Sequence, residues 1–318
     1  MFETNPNLSI RRYGQGILDL LDYDDGIRVI KVGATSQPLP FDGKVKAIED
    51  FLKAAELSPD YKLTLKEVAK TAGDIWGNFL GVGFSNGKVS RYNECNFDLV
   101  RERAQQTGES QPVVLFFHGY YQSRGAAWQF VKDAEKRGLS AISIGYNFWT
   151  PATVFTEDIL LPTLEEVTAY GGEIKGIVGH STGANNCRLG ILESEEVRQY
   201  LITDRTKVIL SAPTTSGTIV PTLMQRLALP FFPKVDDVRT EEGQDIFIRM
   251  NRPIPEGIEA YTFLCEGDML VTPRTGIDTN NRAVNVIVPN GGHFAGSGVS
   301  KIINGFYLDL IANGVPRT

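Results

Sequence analysis

From residue 112 onward, short apolar runs alternate with segments whose apolar residues repeat every three to four positions. The runs are rich in β-branched and aromatic residues, which favour strands, whereas the longer repeat is typical of helices. Alternating strands and helices form a parallel sheet whose crossovers are almost always right-handed. We therefore expect an α/β fold, with a mostly parallel, doubly wound sheet and flanking helices. The predicted strands are 113–117, 141–146, 175–178, 208–211, 260–265 and 283–288.

Three segments predict helices that flank this sheet. Residues 125–136 lie between the first two strands, and residues 152–170 follow the second strand. Pro162 predicts a break or kink in the latter, because proline cannot donate a helical hydrogen bond. Residues 299–312 close the chain with a broad apolar face that suits packing on the sheet.

The first 110 residues have a different pattern, and we interpret them as an N-terminal, largely helical extension packed on the core. Apolar residues at helical spacing predict a helix over 45–55, which ends before Pro59. Thr64 and Glu67 match a capping box, which predicts another helix running toward Leu80. Residues 111–318 then form the main domain, with an insertion at about 214–257.

Charge and composition argue against several classes of partner. The 318-residue chain carries a formal net charge of −6 without a basic run, which disfavours binding to nucleic acid or anionic membranes. It contains no stretch of 18 apolar residues, and its first residues lack the features of a secretion signal. We expect a soluble protein, cytoplasmic rather than secreted. The three cysteines form no Cys-x-x-Cys pair and are interpreted as small buried hydrophobes, with an intramolecular disulfide between two of them as the alternative.

A Gly-x-Ser-x-Gly motif at 179–183 follows the apolar run 177–178 and precedes a helix-compatible segment. A serine hydroxyl is a poor nucleophile, so chemistry requires it on a tight turn that a base can reach. The glycines two residues before and after Ser181 allow such a turn, because they lack a Cβ. An ordinary strand-to-helix turn is the alternative interpretation. The order of strand, motif and helix favours a nucleophile elbow.

The general base for Ser181 must be an imidazole that can gain a proton near neutral pH. The chain has three histidines, and His293 is the one whose location, in the loop after the last predicted strand, leaves it free. Its alternative interpretation is an ordinary surface-loop residue. We interpret His118, at the end of the first predicted strand, as an organiser of its loop, and His180 lies inside the elbow motif.

An imidazole that accepts a proton needs a carboxylate to orient it. Asp268 follows the strand 260–265 and would lie at the carboxyl end of that strand. Glu266 and Asp278 are weaker candidates, because Glu266 is out of phase along the strand and Asp278 lies deeper in a loop. Asp268 could instead be an ordinary turn residue. The order Ser181, Asp268, His293 is the order found in α/β-hydrolases.

Attack of a serine on a carbonyl group forms a tetrahedral intermediate with a negatively charged oxygen. This oxyanion requires two backbone donors that are already in position. The first is the N–H of Thr182, directly after the nucleophile. The second comes from the loop after the first strand, for which we predict the N–H of Tyr120.

Several motifs together resemble the bacterial lipase and esterase branch of the α/β-hydrolase family. The resemblance runs from Pro112 to the C-terminus and does not include the N-terminal extension. It implies an α/β-hydrolase catalytic domain that cleaves carboxylic esters through an acyl-enzyme on Ser181. Thr182 departs from the Met or Gln that lipases often carry. The matching segments are Phe116–Gly119 (oxyanion loop), Val178–Gly183 (elbow), Gly267–Pro273 (acid loop) and Gly292–Phe294 (histidine loop).

Apolar residues near the predicted strand ends are candidates for the substrate-binding surface. The insertion at 214–257 is a candidate lid or acyl-binding wall, although its apolar residues could simply complete the core. Aromatic residues also flank strand ends, where open α/β sheets place ligands, and they favour an apolar or aromatic acyl group. The predicted substrate-binding residues are Tyr121, Phe148, Trp149, Leu227 and Phe231.

The expected partner is a small-molecule or lipid-like ester, and the chemistry requires no metal or organic cofactor. Thioesterase, amidase or acyltransferase activity on the same residues remains an alternative, because these reactions share the first half-reaction. A non-catalytic binding protein on a hydrolase scaffold is the alternative from another class. The oligomeric state stays open.

Overall fold

Nine strands form one sheet in the computed structural model of the chain. The structure describes residues 6–14, 16–33, 41–57, 97–120, 122–147, 150–202, 206–215, 241–268, 271–289 and 291–315. The strand order across the sheet is β1-β2-β3-β9-β8-β7-β6-β4-β5. The strands are β1 (Asn7–Tyr13), β2 (Gly16–Asp22), β3 (Arg28–Val32), β4 (Gln111–Phe117), β5 (Ser140–Ile144), β6 (Gly172–His180), β7 (Lys207–Ser211), β8 (Glu259–Cys265) and β9 (Val284–Val288).

The six strands from β4 to β9 pair in parallel, so the predicted fold class and all six predicted strands are confirmed. Their side chains are buried on both faces, which makes each strand an almost continuous apolar run in the sequence. Strand β4 shows the two faces clearly. Val114 and Phe116 contribute to one hydrophobic cluster, whereas Val113, Leu115 and Phe117 contribute to the cluster on the other face.

The prediction of a largely helical N-terminal extension needs one correction, because residues 7–32 form three antiparallel strands. They extend the main sheet, with β3 antiparallel to β9. Half-buried and exposed positions in this meander accept charged residues, so Asp19 and Asp22 interrupt the apolar pattern of β2. The short alternation Leu18, Asp19, Leu20 is a weak signal for a strand. The helix predicted over 45–55 is confirmed, and the one predicted from Thr64 lies outside the described residues.

Helices cover both faces of the parallel strands. Helices α3 and α10 pack on one face, and α5, α6 and α7 pack on the other. A π-helical turn at Thr156–Leu160 joins α4 to α5 and ends two residues before Pro162, where a break or kink was predicted. None of the helices that the structure describes is long and apolar enough to span a membrane. The helices are α1 (Phe41–Ala54), α2 (97–107), α3 (Trp128–Glu135), α4 (Ala152–Phe155), α5 (Leu161–Ala169), α6 (Thr182–Glu193), α7 (Glu195–Leu201), α8 (Glu241–Met250), α9 (Pro273–Gly276) and α10 (Lys301–Asn313).

The strand order reverses beside β4. The chain goes from β4 outward to β5, then returns to β6 on the other side of β4 and continues away from it. A reversal of this kind leaves a crevice at the carboxyl ends of the two central strands, which is where open α/β sheets bind ligands. His118 follows β4 and Ser181 follows β6, so the sequence motifs meet at this crevice.

Candidate functional site

Ser181 occupies a sharp turn between β6 and α6. Its backbone has φ 53° and ψ −119°, a conformation that residues other than glycine rarely adopt. The Ser181 N–H donates to the carbonyl oxygen of Ser211 (2.8 Å), and its carbonyl accepts from the N–H of Asn185 (3.0 Å). Backbone strain of this kind persists only where the surrounding structure holds it, and it concentrates at functional sites.

The two glycines of the motif are required by close packing around Ser181. A Cβ on Gly183 would lie 2.5 Å from the carbonyl oxygen of Phe117, and a Cβ on Gly179 would lie 2.7 Å from the Cα of Ala184. Real Cβ contacts are never this short, so a side chain at either position would push the elbow away from β4 or unwind the start of α6. The Gly-x-Ser-x-Gly pattern is therefore explained by the local packing.

The side chains of Ser181, His293 and Asp268 form a continuous chain of hydrogen-bond contacts. Ser181 Oγ lies 3.1 Å from His293 Nε2, and His293 Nδ1 lies 2.8 Å from Asp268 Oδ2. Asp268 is 1% exposed, and its second oxygen accepts from the N–H of Val271 at 2.8 Å. A carboxylate at Nδ1 holds the hydrogen of the imidazole there, which leaves the Nε2 lone pair facing the serine hydroxyl.

Each of these three residues follows a different parallel strand, namely β6, β8 and β9. A serine on a strand-to-helix elbow, followed along the chain by an aspartate and then a histidine at the same sheet edge, is the arrangement of the α/β-hydrolase fold. The carboxyl ends of the strands bring the residues together, although they are up to 112 positions apart in the sequence.

The two weaker candidates for the acid lie in other interactions. Glu266 is paired with Arg28 of β3 at the surface. Asp278 forms a buried ion pair with Arg188 at 2.7 Å. Neither carboxylate contacts His293 among the contacts of the described residues.

His118 is buried beside the site as a neutral imidazole. Burial lowers its pKa to about 4, although hydrogen bonds to the backbone of Gly119 and Tyr146 oppose the shift. Its Nδ1 lies 3.0 Å from the carbonyl oxygen of Gly119, and its ring stacks on Tyr146 at a centroid distance of 4.2 Å. These contacts agree with the interpretation of His118 as an organiser of its loop.

The two predicted oxyanion donors belong to segments that border Ser181. Thr182 is the first residue of α6. Tyr120 follows Gly119, which lies so close to the elbow that a Cβ on it would be 2.8 Å from the Cβ of Ser181. The N–H of Gly119 itself donates to Gln122 Oε1 at 2.9 Å. The oxyanion roles of Thr182 and Tyr120 remain predictions.

Sequence reasoning missed the polar residues that hold the loops of the site. Gln122 binds the backbone of the loop after β4 and also approaches His180. Tyr307 of α10 is fully buried, and its hydroxyl donates to the carbonyl oxygen of Gly296 at 3.0 Å and lies 2.6 Å from Ser211 Oγ. These contacts fix the loop that carries His293. A tyrosine on the apolar face of a helix and a glutamine in a loop carry no signal of such roles.

The predicted substrate-binding residues Tyr121, Phe148, Trp149, Leu227 and Phe231 lie outside the described residues. Most of the candidate lid at 214–257 does so as well. The described part of that insertion includes α8, whose Phe247 and Met250 are buried against the core. The substrate-binding and lid assignments therefore stay predictions.

Other chemistry-bearing residues give no second centre in the described part of the chain. Within it, no group of three or more His, Cys, Asp or Glu side chains is placed to hold a metal ion. Cys187 and Cys265 are buried free thiols, and burial raises the pKa of both.

No protein-family model matches the chain, and no curated protein matches it either. Solved structures with a similar backbone include Est1E from Butyrivibrio proteoclasticus, with a TM-score of 0.41 and 14% sequence identity, covering 66% of this chain and 92% of that one. The bromoperoxidase from Bacillus anthracis has a TM-score of 0.41 and 15% identity, covering 64% and 93%. Brefeldin A esterase, a bacterial homologue of human hormone sensitive lipase, has a TM-score of 0.39 and 15% identity, covering 65% and 69%. These are weak likenesses of the backbone, and the chemistry of the site follows from its own side chains.

Proposed function

We propose that the protein is a serine hydrolase that cleaves carboxylic esters through an acyl-enzyme on Ser181. The observation that carries the proposal is the chain of contacts from Ser181 Oγ to His293 Nε2 (3.1 Å) and from His293 Nδ1 to Asp268 Oδ2 (2.8 Å). A hydroxyl, an imidazole and a buried carboxylate in this order form a nucleophile, its base and the group that orients the base.

The first half-reaction transfers the acyl group to the serine. Ser181 Oγ attacks the ester carbonyl while His293 Nε2 accepts the hydroxyl proton, and Asp268 stabilises the resulting imidazolium. The oxyanion accepts hydrogen bonds from the N–H groups of Thr182 and Tyr120. The tetrahedral intermediate then expels the alcohol, which takes the proton from His293. The product of this step is the acyl-enzyme.

The second half-reaction repeats the same chemistry with water. His293 removes a proton from the water as its oxygen attacks the acyl carbonyl. The second tetrahedral intermediate collapses, Ser181 Oγ leaves with the proton held by His293, and the carboxylic acid is released. The expected substrate is a small-molecule or lipid-like ester with an apolar or aromatic acyl group, as the aromatic residues predicted at the strand ends favour.

Covalent labelling with a fluorophosphonate probe tests the nucleophile. The full chain should be labelled, and Ser181→Ala should abolish both labelling and the hydrolysis of an activated ester. Ser194→Ala is the matched control, because Ser194 caps α7 away from the elbow. We expect Ser194→Ala to be labelled like the wild type.

A panel of matched ester, thioester and amide substrates tests the reaction class. Esters should give the highest kcat/KM. If a thioester or an amide gives a higher kcat/KM than the matched ester, the protein is instead a thioesterase or an amidase. An intact protein that is neither labelled nor active on any substrate would contradict the proposal and favour a binding protein on this scaffold.

A further inference from the structure

His180, the residue before Ser181, lies between the two loops that border the proposed nucleophile. It is fully buried. Its Nδ1 lies 3.1 Å from Gln122 Oε1, in the loop after β4, and its Nε2 lies 2.9 Å from the main-chain oxygen of His293, in the loop after β9. One imidazole therefore contacts both the loop predicted to supply an oxyanion donor and the loop that carries the proposed base.

Gln122 continues this connection to the backbone next to Ser181. Its Oε1 accepts the N–H of Gly119 at 2.9 Å, and the Gln122 side chain is almost completely buried. Gly119 packs against the elbow and immediately precedes Tyr120. The position of the Tyr120 N–H relative to Ser181 thus depends on an amide that also contacts His180.

There are too few hydrogen atoms in this link for every contact to be a hydrogen bond at the same time. A neutral imidazole has one N–H, whereas both ring nitrogens of His180 face an oxygen. Burial, and next the positive charge that His293 can carry, hold the pKa of His180 well below its ordinary value, so the ring is neutral. A hydrogen on Nδ1 binds Gln122, whereas a hydrogen on Nε2 binds the carbonyl of His293.

Rotation of the Gln122 amide is the alternative way to meet these contacts. It would place Nε2 of Gln122 against His180 Nδ1 and would remove the acceptor of the Gly119 N–H. Within the described residues, Gln122 Nε2 has no hydrogen-bond partner, so the rotation would break no bond of that atom. Whichever form is populated, a change at His180 alters the contacts of both loops.

We propose that Gln122 and His180 are positioning residues, which form a buried hydrogen-bond link that sets the loop of Tyr120 relative to His293. Neither residue contacts the substrate, and the single ring hydrogen of His180 couples the two loops. The inference rests on the proposed function, because it assigns both residues a part in the reaction of Ser181.

The first test removes the acceptor and keeps the volume of the side chain. Gln122→Met should lower kcat by about 10- to 100-fold, because a displacement of about 1 Å at a reacting group has an effect of this size. KM should change by less than about twofold, since ground-state binding is intact. Affinity for a boronate that forms a tetrahedral adduct should fall by the same factor as kcat.

Two further variants distinguish a positioning role of Gln122 from a general loss of stability of the fold. Gln122→Glu keeps an oxygen acceptor for Gly119 and should recover most of the rate lost in Gln122→Met. Gln129→Met is the matched control, because the amide of Gln129 donates to Asp133 on α3 at 2.8 Å, on a surface helix. A Gln122→Met variant with wild-type kcat and boronate affinity would overturn the inference.

A double-mutant cycle tests whether the two residues act through one link. His180→Phe removes both ring contacts but leaves Gln122 as the acceptor of the Gly119 N–H, so Gln122→Met should slow His180→Phe by a smaller factor than it slows the wild type. Rate losses that multiply would show independent effects and would overturn the inference.

Nitrogen NMR of labelled histidine tests the link without any reaction. The chain has three histidines, so His180 can be assigned with one variant. Gln122→Met should shift the ring resonances of His180 and leave it neutral, and unchanged resonances would contradict the link. Because no substrate is involved, a shifted resonance in a protein that fails to label at Ser181 would reject the proposed function alone.

Discussion

Two buried aspartates, ten positions apart in the sequence, occupy similar environments and have different partners. Asp268 is 1% exposed and Asp278 is 3% exposed. Asp268 contacts His293 at 2.8 Å, whereas Asp278 contacts Arg188 at 2.7 Å. Burial and a close nitrogen donor are common to both, so neither property identifies a catalytic acid.

The partner of each carboxylate makes the difference. Arginine is always charged, and two further donors of Arg188 contact main-chain oxygens at the end of α8 and just after it, with Nε on Met250 at 2.7 Å and Nη2 on Arg252 at 2.9 Å. That pair fastens α6 to α8 and the loop before β9. His293 instead keeps Nε2 next to the hydroxyl of Ser181, and an imidazole can serve as a general base. One buried pair holds the fold, and the other is the pair that we propose to take part in proton transfer.

Replacing the proposed acid should have the largest effect. Asp268→Asn keeps the shape of the side chain and favours the wrong tautomer of His293, so kcat should fall by about 10⁴-fold. The free energy of unfolding, measured in urea, should change much less than for a broken ion pair. A variant that retains more than a tenth of the wild-type kcat would contradict the assignment of Asp268.

The same substitution at Asp278 should have the opposite profile. Asp278→Asn leaves the charge of Arg188 buried without its counterion, and breaking a buried pair in this way costs about 3–5 kcal/mol of stability. In the fraction that remains folded, kcat per labelled site should stay near the wild-type value. A 10⁴-fold loss of kcat in Asp278→Asn would contradict a purely structural role for Asp278.

The parallel strands and the elbow could be predicted from the sequence because their signals are local. Strands buried on both faces are continuous apolar runs, and Ser181, Asp268 and His293 each follow such a run. The strands β1–β3 could not be predicted, because half-buried positions admit charged residues such as Asp19. The roles of Gln122 and Tyr307 depend on which distant backbone atoms they meet, and only the folded chain specifies these atoms.

His118 is a buried histidine that contacts no carboxylate of the described residues, and its burial makes stability depend on pH. The pKa of His118 is about 4 in the folded protein, against an ordinary value of 6.5. The unfolded chain therefore binds more protons below pH 6.5, so this contribution to stability is complete above pH 6.5 and is lost as the pH falls toward 4. It amounts to about 3 kcal/mol.

Urea unfolding between pH 7 and 4 measures this contribution. His118→Phe can still stack on Tyr146 and should reduce the pH dependence by about 1.4 kcal/mol per unit in that range. An unchanged slope in the variant would show that His118 is not held neutral in the fold. His180 has a pKa shift in the same direction and should account for part of the slope that remains.

The smallest effect is expected at Glu266, the carboxylate two residues before Asp268. Its side chain is 41% exposed and pairs with Arg28 at the surface, where ion pairs contribute about 0–1 kcal/mol. Glu266→Gln should therefore leave kcat unchanged and lower the free energy of unfolding by less than about 1 kcal/mol. Steady-state kinetics measures kcat and urea unfolding measures the free energy of unfolding, with Asp268→Asn measured in parallel. A large loss of kcat here would mean that the charge of the acid loop matters more than the contact with His293, because Asp268 is the one carboxylate of the described residues that lies within hydrogen-bond distance of the imidazole.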